Sequence, residues 1–290
     1  MHIENSVCPA NRRTELSEGG DGHPHSKLDS INMSERRQEE VMAETLHPTF
    51  GDRCIISCGM LHPELTHLVD TGFLNPCRLL FTPPGLHALP EKLEAHLLRR
   101  LAQARESCAD YEIIVVYGRK CHVSTDEPLK RVDSILEQAG REIVRVRGDY
   151  GYDMLAGFEE RQEISGGRQD KILWFTPGWL KSWKTIYQNY FGWDEADANA
   201  NFPGFYDKIV VLDSLGSAEE YMAQHPEEIL ELFDWTGLEV EFYPITLDRF
   251  RGLVTEALSR SARGGALEKP RPHGTDRDGD EAGDGMAQSP

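Results

Sequence analysis

Between residues 53 and 258, short apolar runs alternate with longer segments of helical periodicity. The short runs are rich in β-branched residues, which suits strands buried on both faces. Arg53 to Ser57 reads as a first strand that stops at Cys58-Gly59. A helix is expected from Pro63 to Asp70, ended by Thr71-Gly72. Cys77 to Phe81 reads as a second strand, closed by Thr82-Pro83-Pro84-Gly85. The clearest helix, Pro90 to Glu106, places Leu93, Leu97, Leu101 and Ala104 on one face. Pro90 suits its first turn. Tyr111 to Tyr117 is an unbroken β-branched and aromatic run. It reads as a buried strand that turns at Gly118 and delivers Cys121 beside His122.

The alternation continues to the end of this region. Ser124 to Pro128 reads as a helix start, with Val132, Ile135 and Leu136 as its apolar stripe and Gly140 at its end. Glu142 to Val146 is a fourth strand, and the loop after it leads into a helix from Met154 to Ile164. Ile172 to Phe175 is a fifth strand, followed by Thr176-Pro177-Gly178 and a helix carrying Trp179, Trp183 and Tyr187. Ile209 to Leu212 and Val240 to Tyr243 complete the strands. Helices are expected from Pro226 to Trp235 and from Thr246 to Leu258. This order implies an α/β fold: a largely parallel, Rossmann-like sheet of about seven strands with helices on both faces.

The ends differ from the middle. Residues 1–48 and 261–290 are polar, rich in Gly, Asp or Pro, and without apolar periodicity. Such segments bury too little apolar surface to offset the entropy of ordering. Two disordered tails are expected around one α/β domain, residues 49–260, large enough for a single core. The net charge of −18 argues against nucleic acid as a partner, because phosphate binding needs clustered Lys and Arg, and suits solubility. No apolar run approaches the roughly 18 residues of a membrane span. The N-terminus shows no basic and apolar secretory pattern, so a cytoplasmic protein is expected. Six cysteines occur without a CxxC pair, and in a reduced compartment most would be small core residues.

In a parallel sheet the residues following the strands gather on one edge, where ligands bind. Here that edge would collect Cys58, His62, His87, Cys121 and His122. From later loops it would add Asp149, Tyr152, Asp153, Trp179, Trp183 and Asp213. Cys58, Cys121 and His122 form a candidate metal set, because two thiolates and an imidazole suit a borderline ion such as zinc. His87, Arg119, Tyr152, Asp153, Trp179 and Trp183 are the candidate ligand-binding residues. Arg119, Lys120 and His122 surround Cys121, and neighbouring cations lower a thiol pKa. An alternative is therefore a thiol-dependent enzyme with Cys121 as nucleophile and His122 or His87 as its base. A third reading is an interaction protein that recruits partners through its acidic tails. GxGxxG, GxxxxGK[ST], GxSxG and HExxH are all absent.

Five segments together carry a family resemblance. They are Ser57-Cys58-Gly59, Leu86-His87 with Pro90-Glu91-Lys92-Leu93, Tyr117 to His122, Tyr152 to Leu155, and Thr176 to Leu180. In this order they resemble the domain-of-unknown-function 1638 family of bacteria and archaea over residues 52 to 258. The resemblance implies a cysteine-containing loop where this sequence has Tyr150-Gly151, so one thiol of a three-thiol site would be missing or replaced by His122 or Tyr150. It also implies a link to corrinoid methyl-transfer proteins, with a corrinoid or a metal as cofactor.

Overall fold

The computed structural model describes residues 50–261, except positions 52, 108–111, 125 and 141–142. The expected tails, apart from Ser261, lie outside the described residues, as do Cys8, Cys108 and Glu142. The seven strands among the described residues form two parallel sheets rather than one. The first has the order β2-β1-β3-β4, from β1 (Arg53–Cys58), β2 (Arg78–Thr82), β3 (Glu112–Val116) and β4 (Ile143–Arg145). The second has the order β5-β6-β7, from β5 (Ile172–Phe175), β6 (Lys208–Asp213) and β7 (Glu239–Pro244). Apolar runs reveal strands, but pairing is decided by how helices bring them together, which no run encodes.

Alternation along the strands divides the interior into two layers. Cys54, Ile56 and Cys58 of β1, Ile113 and Val115 of β3, and Ile209 and Val211 of β6 face one apolar cluster. Ile55, Ile114, Val116, Val210 and Leu212 face the other. Both clusters draw on both sheets, so the sheets share the same two layers. Helix α1 (His62–Asp70) and helix α2 (Pro90–Ser107) cover opposite layers. Leu65 and Leu68 of α1 lie in the second cluster, whereas Leu93, Leu97, Leu101 and Ala104 of α2 lie in the first. Helix α3 (Val132–Ala139) also packs on the first layer, and it starts later than Ser124. The Ser124 hydroxyl instead accepts the amides of Asp126 and Glu127, closing a local turn.

The single helix expected after β4 is two, α4 (Gly151–Leu155) and α5 (Phe158–Ser165). The chain breaks at Ala156-Gly157, where Arg161 donates to the Ala156 carbonyl at 2.7 Å. After β5 the aromatic segment is also interrupted: α6 (Pro177–Leu180) is short, and Thr185–Tyr190 winds as a π-helix. Helices α7 (Glu195–Asn201) and α8 (Ala218–Gln224), not expected from the sequence, precede α9 (Pro226–Thr236). The last helix, α10 (Asp248–Ser261), follows β7 but packs on β3, β4 and α4 of the first sheet. It ends at the fully buried Ser261, which accepts Arg53 Nε at 3.0 Å and bonds Glu112. The folded segment thus reaches one residue beyond the expected boundary. No described helix is long and apolar enough to cross a membrane.

Candidate functional site

The carboxyl ends of β1, β2 and β3 meet because the three strands are neighbours. Ser57 pairs with Val116 and Cys58 with Thr82, which sets Cys58 level with Tyr117. Cys58 is 9% exposed and Tyr117 1%. The Tyr117 hydroxyl bonds Thr82 Oγ1 and contacts the Cys58 thiol, so a buried polar string runs from Cys58 through Tyr117 to Thr82. Burial raises the pKa of Cys58, and burial with the nearby thiol raises Tyr117 well above its ordinary value. The thiol and the phenol are therefore both held neutral at physiological pH.

Cys121 ends a turn of 3-10 helix, Arg119–Cys121, and its amide donates to the Gly118 carbonyl at 3.1 Å. This loop is zipped to the loop after β4: Arg119 N donates to Gly148 O and Lys120 N to Asp149 O, each at 2.9 Å. A Cβ at Gly118 would overlap the Asp149 carbonyl, so only glycine allows the approach. Arg119 and Lys120 turn to the Asp149 carboxylate, at 2.9 and 3.3 Å. Burial and the Cys58 thiol push Cys121 up to about 12. The sequence suggested cationic activation of this thiol. Burial outweighs it, because the two cations are spent on Asp149.

His122 is 1% exposed and turns toward α2, where its Nε2 lies 3.7 Å from Glu94 Oε2. Glu94 in turn holds Lys130 at 2.8 Å. His122 thus faces Glu94 and, through it, Lys130. Among the described residues, no group of three or more His, Cys, Asp or Glu side chains is placed to hold a metal ion.

The remaining sequence candidates are mostly part of the scaffold. Asp153 accepts the amides of Asp149 and Tyr150, at 3.2 and 2.8 Å, and pairs with Arg161. Tyr152 stacks on Tyr150, and the Arg161 guanidinium lies 5.0 Å from its ring centre. Trp183 is 2% exposed and packs on Trp235, with ring centres 5.3 Å apart. His87 packs on Trp179 at 4.8 Å, and burial pushes its pKa down to about 4, leaving the ring neutral at pH 7.

The open space lies on the other side of Thr82. A cleft of about 670 Å³ is bounded by α1, by the ends of β1 and β2, and by Lys181, Ser182 and Leu215 from the second sheet's loops. Its size is that of a small-molecule site. Two close backbone approaches build its floor. A Cβ on Gly178 would overlap the Met60 carbonyl, and one on Gly59 would stand 2.7 Å from Thr82 O. Thr176 Oγ1 donates to the same Met60 carbonyl at 3.0 Å, tying the two sheets at this point. On the wall, the His62 ring packs on Phe81 with centres 4.4 Å apart. His62 belonged to the expected strand-end residues; Thr66, His67, Lys181 and Ser182 did not, because helix faces of this polarity read as solvated surface.

Glu64 stands behind this wall. It is fully buried in the first turn of α1, accepts the Ser214 hydroxyl at 3.1 Å on Oε1, and has no partner on Oε2. Burial raises its pKa to about 7 against the opposing pull of its own backbone amide, Ser214 and Lys181. One sequence signal pointed to it. Leu61, Glu64, Leu65 and Leu68 follow helical i, i+3, i+4, i+7 spacing, so a carboxylate occupies an apolar stripe.

Against known proteins, no curated protein and no solved structure matches this chain. A family described as protein of unknown function (DUF1638) matches residues 81–254, more than half of the sequence and within the span of the resemblance seen in its motifs. The chain belongs to that family.

Proposed function

We propose that this protein binds a small molecule in the cleft where the carboxyl ends of β1 and β2 face the loops after β5 and β6. The carrying observation is the cleft itself: about 670 Å³ of open space at strand ends, on a floor fixed by Gly59 and Gly178. Strand-end crevices between parallel α/β units are where ligands of such folds bind. Thr82 joins this space to the buried Cys58–Tyr117 string, so the thiol supports the wall rather than contacting the ligand. The thiol-enzyme alternative finds less support, since Cys121 is driven toward the protonated, unreactive form. The test is a fragment screen on the full chain, read by amide chemical shifts. Binders should perturb Thr66 and Ser182 and be lost when Thr66→Trp fills the cleft in a still-folded protein. Binders that survive Thr66→Trp and perturb other surfaces would refute the reading.

A further inference from the structure

The composition of the cleft narrows the ligand class. Its apolar part is Pro63, Pro84, Leu215 and the Phe81 ring under His62. Its polar part includes His67, Asp70 and one ammonium, that of Lys181. Lys181 is exposed and has no ion-pair partner among the described residues, whereas Lys184, three residues on, is paired with Glu231. The hydroxyls of Thr66 and Ser182 line the same space.

Two carboxylates lie in this neighbourhood, and neither forms an ion pair with Lys181 among the described residues. Glu64 feels its field, but the buried carboxyl has its pKa raised to about 7 and is only partly ionised at neutral pH. Asp70 also lines the cleft, but it closes α1 about two helical turns beyond His62. The chain's charge of −18 does not help to recruit an anion over distance. Attraction must come from groups of the cleft itself, among which Lys181 carries the ammonium, beside the rings of His62 and His67.

We propose that the cleft takes a small organic anion, its oxyanion group at Lys181 and its body against the His62–Phe81 wall. This rests on the small-molecule reading above and names the ligand class for the same site.

The probes are phenyl phosphate, phenol and benzylamine, which share one ring and differ in charge. Each is titrated into the full chain by calorimetry and by amide chemical shifts. Phenyl phosphate is expected to bind saturably, perturbing Thr66 and Ser182, and more tightly than either other probe. Lys181→Met should weaken it about tenfold or more, the size of one lost charge-assisted hydrogen bond, and Lys184→Met should not. Benzylamine binding as well as phenyl phosphate would overturn the inference, as would unchanged affinity in Lys181→Met or no binding of any probe. Phenol matching phenyl phosphate in the cleft would overturn the anion class alone and leave the small-molecule reading standing.

Discussion

Ser214 donates its hydroxyl to Glu64 Oε1 at 3.1 Å, a buried contact between residues 150 positions apart. It joins the first turn of α1 to the loop after β6, on the two sides of the cleft. A lone buried carboxyl is costly when ionised, and its second oxygen has no partner to reduce that cost.

This makes stability depend on pH in a definite direction. The folded pKa of about 7 lies above the ordinary 4.5, so the folded state holds its proton more tightly than the unfolded state. Stability from this group is therefore full at low pH and is lost as pH rises from about 4.5 to about 7. The loss is on the order of 3 kcal/mol. Denaturant melts of Glu64→Gln should lack this slope and lie above wild type at pH 8. A wild-type slope that persists in Glu64→Gln would assign it to other groups.

Ser261 should matter although it is the last of the described residues. It links Arg53 of β1 to Glu112 of β3, which are themselves ion-paired at 2.7 Å. Ser261→Ala should cost roughly 1 kcal/mol by removing the hydroxyl's hydrogen bonds to this partly buried ion pair. The check is a urea melt compared with Ser259→Ala, whose hydroxyl only returns to its own helix at the Thr255 carbonyl. Equal midpoints for the two variants would show that α10 is not anchored there.

Gly178→Ala tests the join between the sheets. The new methyl would overlap the Met60 carbonyl, a rigid backbone atom, and cost roughly 1–3 kcal/mol or more. Gly252→Ala, with open space at its Cβ and a place in α10, should be neutral or slightly stabilising. Similar melting temperatures for the two would mean that the cleft floor gives way easily.

Cys121 should behave as an ordinary, hindered thiol. Its raised pKa leaves almost no thiolate at pH 7, so iodoacetamide should label it more slowly than free cysteine, gaining speed only in alkaline solution. Mass spectrometry of single-site labelling across pH measures this. Fast labelling below pH 7 would revive Cys121 as a nucleophile.

The strands were legible where both faces are covered. Ile113–Val116 and Ile209–Leu212 form unbroken apolar runs because α/β layers leave no polar face to alternate. The division into two sheets was not legible, and neither was the close approach of Gly178 to Met60, which joins residues far apart in sequence. The strand-end position of the cleft was readable, but not its lining. Cys58, Cys121 and His122 stand out as chemistry-bearing residues, yet burial turns them inward. Thr66 and Lys181 look like ordinary surface and line one cleft only when α1 and the end of α6 are brought together.

The central claim concerns where a small molecule sits. A crystal structure of the full chain soaked with the fragments that bind in solution tests it most directly. The account expects density between His62 and Lys181, over Gly59 and Gly178. Density confined to another surface, such as the hollow beside Trp193 and Trp235, would contradict it.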